Sequence, residues 1–272
     1  MSEKDRPDYH LGYTDAEHER LIRQAARLEF VTERFFREAG VVEGWRILDV
    51  GSGAGDVAML AARIVGPSGA VVGLERDPRS VERARTRAAE LGLANIAFVC
   101  CDVDEYAAAV PFDGAVGRFV LQFIPDPVAT LRRVASFVRT GGLIAFQEGS
   151  WAPFLALSAG LPLWHACVSL LHGAARRAGV NLEMGIDLDR VFRAAGLAAP
   201  KVRLEMELGR DPEFTRWPSD SLRSVLPDLT RLGVSYDELG DLDTLAQRLH
   251  EEVTRANTVA PWIGLVGASS YT

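Results

Sequence analysis

The alternation of short apolar runs with segments of helical periodicity between residues 46 and 146 constrains the fold of this chain more than any other feature. Apolar runs of strand length lie at residues 47–50, 70–74, 96–101, 115–120 and 143–146. Strands that alternate with helices build a parallel sheet with helices on both faces. We therefore predict an α/β fold with a doubly wound, mostly parallel sheet. Two more strand-like segments, at residues 202–208 and 262–266, raise the predicted strand number to seven.

The order of these segments divides the chain into four predicted regions. They are an N-terminal helical lid at 1–40, a cofactor-binding core at 41–150, an apolar cap insertion with its helix at 151–200, and a C-terminal region at 201–272 that carries a further helical cap at 211–256. From Gly149 to Ala175 the chain has no Asp, Glu, Lys or Arg, a length that suffices to span a bilayer. Prolines, glycines and histidines interrupt this run, so we predict a buried cap helix and no membrane span.

Charge and cysteine content limit the kinds of partner. The net charge of -7 provides no broad positive field for a phosphate backbone, so no nucleic acid partner is expected. The chain has three cysteines, Cys100, Cys101 and Cys167, an odd number, and two of them are adjacent, which predicts buried thiols in a reducing compartment. The first ten residues are polar and lack the apolar stretch of a secretory signal, so we expect a cytoplasmic location.

A glycine-rich turn follows the first predicted strand and consists of Gly51, Ser52, Gly53, Ala54 and Gly55. Glycine lacks a Cβ and tolerates positive φ, so the backbone of such a turn can approach a ligand at the carboxyl edge of a sheet. A dinucleotide-binding turn reads Gly-x-Gly-x-x-Gly, but Asp56 stands where its last glycine belongs. Asp49 and Asp56 flank the turn, which favours a ligand with ammonium and sulfonium charge over a diphosphate.

Acidic residues follow the next two predicted strands. Glu75 ends the second strand, where a carboxylate can accept hydrogen bonds from both ribose hydroxyls of an adenosine. Asp102 holds the matching place after the third strand, where it can accept a hydrogen bond from an adenine amino group. The alternative interpretations, an exposed acid beside Arg76 and a turn cap at Asp102, remain open from these residues alone.

Together these residues resemble the class I S-adenosylmethionine-dependent methyltransferases over about residues 41–147. The resemblance implies S-adenosylmethionine as the cofactor and in-line transfer of its methyl group to an O, N or C nucleophile. The implied cofactor-binding residues are Asp49, Gly51, Ser52, Gly53, Gly55, Glu75, Arg76, Asp102, Val103, Arg118 and Gln122. The glycine turn is implied to line the methionine moiety, Glu75 the ribose, and Asp102 with Val103 the adenine.

The fourth predicted strand and its continuation, residues 112–127, resemble the small-molecule branch related to ubiquinone and menaquinone methyltransferases. Many relatives have histidine where this chain has Gln122, so a contact that needs an imidazole there is not implied. The front end, residues 9–24, resembles an N-terminal lid of natural-product members, which implies that Tyr13 and Gln24 close over the cofactor. An amphipathic helix packed on the sheet is the alternative interpretation of this segment.

The uncharged run indicates the acceptor class. Its large apolar residues are Trp151, Phe154, Leu155, Leu157, Leu161, Leu163 and Trp164. A pocket with such a lining favours a small, largely apolar acceptor of aromatic, polyketide-like or isoprenoid type. Burial of these side chains in an internal or homodimer interface is the alternative.

The spacing of residues in the sequence does not identify which candidate is the general base. The candidates are His165 and His172 on the predicted cap helix, Glu148 after the fifth strand, and His10 and Tyr13 on the lid. Two other functions stand against methyl transfer. An NAD-dependent oxidoreductase would bind a dinucleotide at the same turn, and an S-adenosylmethionine-binding protein or cyclase would use the cofactor without transferring its methyl group. Scattered histidines predict no metal site.

Overall fold

The computed structural model describes residues 15–231 and 233–272. The strands are β1 (Arg46–Val50), β2 (Ala70–Glu75), β3 (Ile96–Cys100), β4 (Phe112–Arg118), β5 (Val138–Ser150), β6 (Lys201–Glu205), β7 (Leu208–Gly209), β8 (Ala260–Pro261) and β9 (Gly264–Tyr271). The helices are α1 (Asp15–Ala39), α2 (Asp56–Val65), α3 (Pro78–Glu90), α4 (Pro127–Ala135), α5 (Ala152–Ser158), α6 (Pro162–Arg177), α7 (Met184–Ala194), α8 (Pro212–Thr215), α9 (Trp217–Arg231) and α10 (Leu245–Arg255).

Seven of the described strands form one sheet in the order β3-β2-β1-β4-β5-β9-β6. The neighbours from β3 to β5 are all parallel. The backbone N–H of Thr272 donates to the carbonyl of Gly142 (2.9 Å), so the end of β9 meets the start of β5 and these two strands are antiparallel. The predicted α/β fold with a mostly parallel, seven-stranded sheet is therefore confirmed. The strand order reverses between β1 and β4, and open α/β sheets bind ligands outside the carboxyl ends of the strands at such a point.

The predicted bounds of the last two strands are wrong. β6 ends at Glu205 instead of residue 208, and β9 begins at Gly264 and continues to Tyr271 instead of ending at residue 266. The end of β9 is built from small residues, which give little strand signal in a sequence. Their size has a packing reason, because a Cβ on Gly267 would lie 2.7 Å from the Phe35 ring of α1.

Helices cover both faces of the sheet, as double winding requires. One buried apolar cluster joins the sheet to α1, α2 and α3, with Phe36, Ile64 and Val81 among its members. The other joins the sheet to α4 and α7 through residues such as Leu131 and Phe192. Alternate residues of each strand supply the two clusters, so neighbouring side chains of β1, β4 and β5 point to opposite faces.

The chain divides into two compact units. The sheet unit comprises Leu21–Glu148, Met184–Glu205 and Val266–Thr272. The cap unit comprises Gly149–Glu183 and Met206–Leu265, together with the described residues up to Arg20. Helices α5, α6, α8, α9 and α10 and the β7–β8 pair lie in the cap unit.

Carboxylates cap the first helices of the cap unit. Glu183 accepts the backbone N–H groups of Trp151 (3.0 Å) and Ala152 (2.7 Å) at the start of α5. Glu252 accepts those of Leu163 (2.7 Å) and Trp164 (2.9 Å) at the start of α6. Acidic groups stabilise a helix at this end, where backbone N–H groups have no partner inside the helix. The two helices therefore begin at sites that distant parts of the chain supply.

The uncharged run of residues 149–175 forms the end of β5, all of α5 and most of α6. Its prolines stand in the first turns of the two helices, where the missing N–H costs no hydrogen bond. Within residues 15–231 and 233–272, no helix combines the length and apolar character needed to cross a bilayer.

Candidate functional site

The glycine turn leaves β1 at the carboxyl edge of the sheet. Gly51, Gly53 and Gly55 have positive φ angles of 65°, 52° and 89°, respectively. A Cβ on Gly51 would lie 2.9 Å from Val120, and one on Gly55 would lie 2.9 Å from Phe98. A Cβ on Gly53 would meet nothing within 4 Å. The outer glycines thus permit close packing, whereas the middle one borders open space that a ligand can occupy.

Glu75 at the end of β2 holds this turn in place. One carboxylate oxygen accepts the backbone N–H of Gly53 (2.9 Å), and the other accepts that of Asp77 (2.9 Å). A carboxylate has about four acceptor positions, so two of them remain for other donors. Glu75 therefore joins the glycine turn to the start of α3 and keeps acceptor capacity at the sheet edge.

Asp102 follows the end of β3, the strand that pairs with β2 and Glu75. The register pairs Glu75 with Cys100, and the N–H of Cys101 donates to the carbonyl of Glu75 (3.0 Å). Asp102 is half-buried, and one of its oxygens accepts the N–H of Asp104 (3.0 Å), so it does form a turn cap. Val103 packs against the apolar cluster below the sheet, and the Arg76 side chain is exposed. The two acids thus follow neighbouring strand ends next to the glycine turn.

A row of polar side chains lies on one face of the sheet at the same edge. Asp49 pairs in register with Val116, and Arg118 pairs with Gln147, so Asp49, Arg118 and Gln147 share the face that packs against α1. The guanidinium of Arg118 donates to Thr32 Oγ1 of α1 (2.8 Å). Oδ2 of Asp49 and Oε1 of Gln147 are buried and have no hydrogen-bond partner within the described residues. Such orphaned acceptors in a buried site indicate a ligand with matching donors.

The charges of this row influence one another. Burial raises the pKa of Asp49 well above its ordinary value, while the charge of Arg118 and the backbone N–H of Ala58 oppose that rise. Burial also lowers the pKa of Arg118, and Asp56, Asp49 and Glu29 oppose that change. Buried charges are tolerated when they are paired. The row therefore has a cation beside acceptors, an arrangement that suits a zwitterion.

Glu148 at the end of β5 is fully buried. Its oxygens accept the backbone N–H groups of Val120 (2.9 Å), Leu121 (2.8 Å) and Gln122 (3.4 Å). These donors belong to the 3-10 turn Leu121–Phe123 that follows β4 and the residue before it. The contacts speak against Glu148 as a general base, because both oxygens are engaged with backbone and no exposed surface remains for an acceptor.

The pH dependence of folding tests the state of Glu148. Burial raises its pKa from 4.5 to about 7, although the three backbone N–H groups favour the ionised form. The folded protein thus retains a proton that the unfolded chain has lost between these values. The contribution to the free energy of unfolding is complete below about pH 4.5 and is lost as the pH rises through about 7, in total about 3 kcal/mol.

We expect Glu148→Gln to remove this part of the pH dependence, because an amide does not titrate. Urea unfolding of the wild-type protein and the variant at about pH 5 and about pH 8 measures the difference. If both proteins lost the same stability between these pH values, the buried carboxyl would not be the group that titrates.

The histidine candidates His165 and His172 lie on α6 in the cap unit. Nδ1 of His165 is 2.8 Å from the hydroxyl oxygen of Ser158, whose proton is donated to the carbonyl of Leu155 (2.8 Å). The hydroxyl has a single proton, so when it is donated to the carbonyl, Nδ1 must carry a proton to bond the hydroxyl oxygen, and the neutral ring then keeps its lone pair on Nε2. The ring of His172 lies 5.8 Å from that of Trp151, and burial and Arg176 lower its pKa.

The structure describes only some of the candidate residues of the lid and of the segment after β4. Tyr13 and His10 lie outside the described residues. Gln24 lies on α1 and is half-buried. Gln122 donates its backbone N–H to Glu148, and its side chain is half-buried.

No group of three or more His, Cys, Asp or Glu side chains in the described part of the chain could hold a metal ion.

The candidate site also includes Gln147 and Thr32, which the sequence analysis did not predict. Gln147 is the first polar residue after the apolar run of β5, a signal that could have marked it. Thr32 stands in the middle of a long amphipathic helix and has no local signal. Its role depends on the packing of α1 over the strand that carries Arg118.

The strand order, the glycine turn after β1 and the acids after β2 and β3 form the arrangement that the resemblance to class I, S-adenosylmethionine-dependent methyltransferases implies. A family described as a methyltransferase domain matches residues 42–195, which is more than half of the chain. The chain belongs to this family. The match includes the whole candidate site of the sheet unit except α1.

Two curated relatives are similar to part of the chain. The aklanonic acid methyltransferase DauC of Streptomyces sp. (strain C5) is 40% identical over 108 residues, which are 39% of this chain and 49% of the relative. A ubiquinone biosynthesis O-methyltransferase of Neisseria meningitidis serogroup C is 36% identical over 110 residues, 39% of this chain and 44% of the relative. The match thus spans about half the length of these relatives or less.

Solved structures share the fold. The [4+2]-cyclase SpnF has a TM-score of 0.53 at 18% sequence identity, and the alignment covers 90% of this chain and 81% of that chain. Identity at this level shows the fold alone. The likeness therefore supports the seven-stranded architecture and leaves the reaction to the site.

Proposed function

We propose that this protein transfers the methyl group of S-adenosylmethionine to a nucleophilic atom of a small, largely apolar molecule. One observation carries the proposal: the glycine turn, with open space beside Gly53, lies next to two acids and a buried row with orphaned acceptors. These are the groups that an adenosyl amino acid requires. The relatives' methyltransferase names support the same reaction.

The donor set fits each part of the cofactor. The remaining acceptor positions of Glu75 suit the ribose hydroxyls, and the carboxylate of Asp102 is the kind of acceptor that suits an adenine amino group. Arg118 supplies a cation for the amino acid carboxylate, and Asp49 with Gln147 supplies acceptors for the ammonium. When bound, S-adenosylmethionine supplies a methyl group on a positively charged sulfur that leaves as a neutral thioether. The protein's own task is to orient an acceptor and exclude water.

The cap unit supports an aromatic, polyketide-like or isoprenoid acceptor. Ring contacts with centroid separations of 5.6 to 6.5 Å connect Trp151, Phe154, Trp217, Trp262, Phe214 and Trp164 in a continuous chain. Phe154 and Trp164 are fully buried, so internal packing uses part of the apolar surface that the sequence indicated. The indole N–H groups of Trp164 and Trp217 are buried without a hydrogen-bond partner in the described part of the chain. A flat acceptor with an oxygen atom would suit these donors.

The test of methyl transfer follows the methyl group itself. The protein is incubated with methyl-labelled S-adenosylmethionine and a panel of phenolic and enolic polyketide-like and isoprenoid acceptors, and products are analysed by mass. We expect label in an acceptor. An acceptor that is converted without label would indicate the cyclase alternative, and saturable NAD binding without S-adenosylhomocysteine binding would indicate the oxidoreductase.

Gly53→Ala is expected to weaken the binding of S-adenosylhomocysteine about tenfold, because a Cβ would enter the open space that we assign to the cofactor. Gly92→Ala is the matched control. Gly92 also has a positive φ, 66° against 52° for Gly53, and a Cβ there also meets nothing within 4 Å. Both variants lose about 1 kcal/mol of stability from backbone strain.

Calorimetric titration separates the two effects. Only the Gly53 variant should bind S-adenosylhomocysteine more weakly than the wild-type protein, although both variants should unfold at a lower temperature. Equal affinity of the two variants for S-adenosylhomocysteine would contradict the assignment of the cofactor to the space beside Gly53.

The cellular setting is part of the proposal. Cys100, Cys101 and Cys167 are free thiols, which supports a reducing, cytoplasmic location. The predicted burial of all three is wrong, because Cys100 is exposed and only Cys167 is fully enclosed. A homodimer stays a prediction that a solution mass measurement tests.

A further inference from the structure

The segment after β4 has an unusual backbone. Phe119 has a φ of 57°, a conformation that a bulky residue rarely adopts. Its N–H donates to the carbonyl of Gln147 (2.9 Å), and the next three N–H groups all point to the Glu148 carboxylate. Strained backbone persists only where its surroundings determine it. Two consecutive residues of β5 therefore determine the course of residues 119–122.

This segment connects the two parts of the cofactor site. Arg118 precedes it and belongs to the buried polar row. The side chain of Val120 lies so close to the glycine turn that a Cβ on Gly51 would be 2.9 Å away. A displacement of residues 119–122 would thus move both the wall of the glycine turn and the strand end that carries Arg118.

Helix α7 packs closely against the main chain at Glu148. A Cβ on Gly185 of α7 would lie 2.9 Å from the carbonyl oxygen of Glu148 and 2.7 Å from Val266. The absence of a side chain at Gly185 lets the helix approach this closely. The main chain at Glu148 therefore has little freedom to follow the segment if the segment moves.

We propose that Glu148 is a positioning residue for the cofactor, which acts by holding the backbone of residues 120–122 against the glycine turn. The inference rests on the proposed function, because it concerns the methionine end of the same site. It gives the buried carboxylate a task other than proton abstraction. A carboxylate suits this task because it accepts several N–H groups at once.

Glu148→Gln tests the proposal with little change in volume. The amide oxygen can still accept the N–H groups of Val120 and Leu121, but the amide NH2 faces the N–H of Gln122, and two donors repel. We expect the dissociation constant of S-adenosylhomocysteine to rise about tenfold at about pH 8.5, where the wild-type carboxyl is ionised. In turnover, the KM for the cofactor should rise while the KM for the acceptor stays the same.

Asp113→Asn is the matched control at the opposite end of β4. Asp113 accepts the backbone N–H of Arg46 (2.8 Å) and the side chain of Arg139 (2.8 Å), so its amide would also face a donor. This variant should lose stability without a change in affinity. Amide hydrogen exchange at residues 120–122 should quicken in the Glu148 variant alone.

The outcomes separate the two proposals. A wild-type protein that does not bind S-adenosylhomocysteine overturns the proposed function and with it this inference. A wild-type protein that binds, with equal affinity in the Glu148 variant, overturns the inference alone. Equal weakening in the Asp113 variant also overturns it, because general destabilisation would then account for the loss.

Discussion

Replacing Glu75 with alanine is expected to weaken the binding of S-adenosylhomocysteine by on the order of 100-fold or more. The carboxylate accepts N–H groups from Gly53 and Asp77, each at 2.9 Å, and we assign its remaining acceptor positions to the ribose. Hydrogen bonds to a charged group contribute about 1.5–3 kcal/mol each. Loss of two ribose contacts therefore costs about 3 kcal/mol or more, which corresponds to about 100-fold.

Two further variants serve as controls for Glu75→Ala. Glu75→Gln keeps the size of the side chain, yet its amide must turn an NH2 group toward one of the two backbone donors, so its affinity should also fall. Glu90→Ala removes an exposed acid from α3 in the same unit and should bind normally. Isothermal calorimetry measures affinity, and thermal unfolding shows whether each variant is folded. Unchanged affinity in Glu75→Ala would contradict the assignment of the cofactor to this edge.

Replacing His165 with alanine is expected to lower kcat by on the order of 100-fold while the affinity for S-adenosylhomocysteine stays the same. Nδ1 of His165 lies 2.8 Å from the Ser158 hydroxyl, and when that hydroxyl donates to the carbonyl of Leu155, the proton of the neutral imidazole is on Nδ1 and Nε2 is the proton acceptor. A positioned base that accepts the proton of a hydroxyl or enol raises the reaction rate by roughly 10²- to 10⁴-fold. Ser158→Ala should show a smaller loss, because the imidazole remains but is no longer oriented.

His250 supplies the matched control. Its Nδ1 lies 3.3 Å from the hydroxyl of Thr215, which donates to the carbonyl of Asp211, so it has the same kind of neighbour in the same unit. His250→Ala should keep its kcat. His172→Ala should lose less than His165→Ala, because burial and Arg176 lower the pKa of His172 and weaken it as a base. A normal kcat in His165→Ala would exclude this histidine as the base.

The fold and the cofactor class were predictable because their signals are local. The positive-φ glycines stand in a short stretch after an apolar strand, and Glu75 and Asp102 each follow the next strand by position in the sequence. Parallel strands bring their carboxyl ends to one edge, so residues that follow strands meet there without further information. The confirmed sheet and family follow from this geometry.

Other parts of the site depend on contacts between distant segments. Glu148 stands where a base is plausible, and only its burial against residues 120–122 shows that its oxygens are engaged. Thr32 meets Arg118 across 86 positions of sequence. Likewise, the small residues of β9 carry little strand signal, because their value lies in letting Phe35 pack closely.

The amino-acid sequence by itself determined the alternation of strands and helices, the glycine turn and the acids of the sheet edge. Periodicity and glycine placement act within a few residues, so a linear pattern records them. Tertiary structure alone decided which polar groups are buried together, which carboxylate accepts backbone N–H groups and which histidines have a hydroxyl beside Nδ1. Burial and hydrogen-bond partners are set by neighbours in space, and residues far apart in the chain supply most of them here.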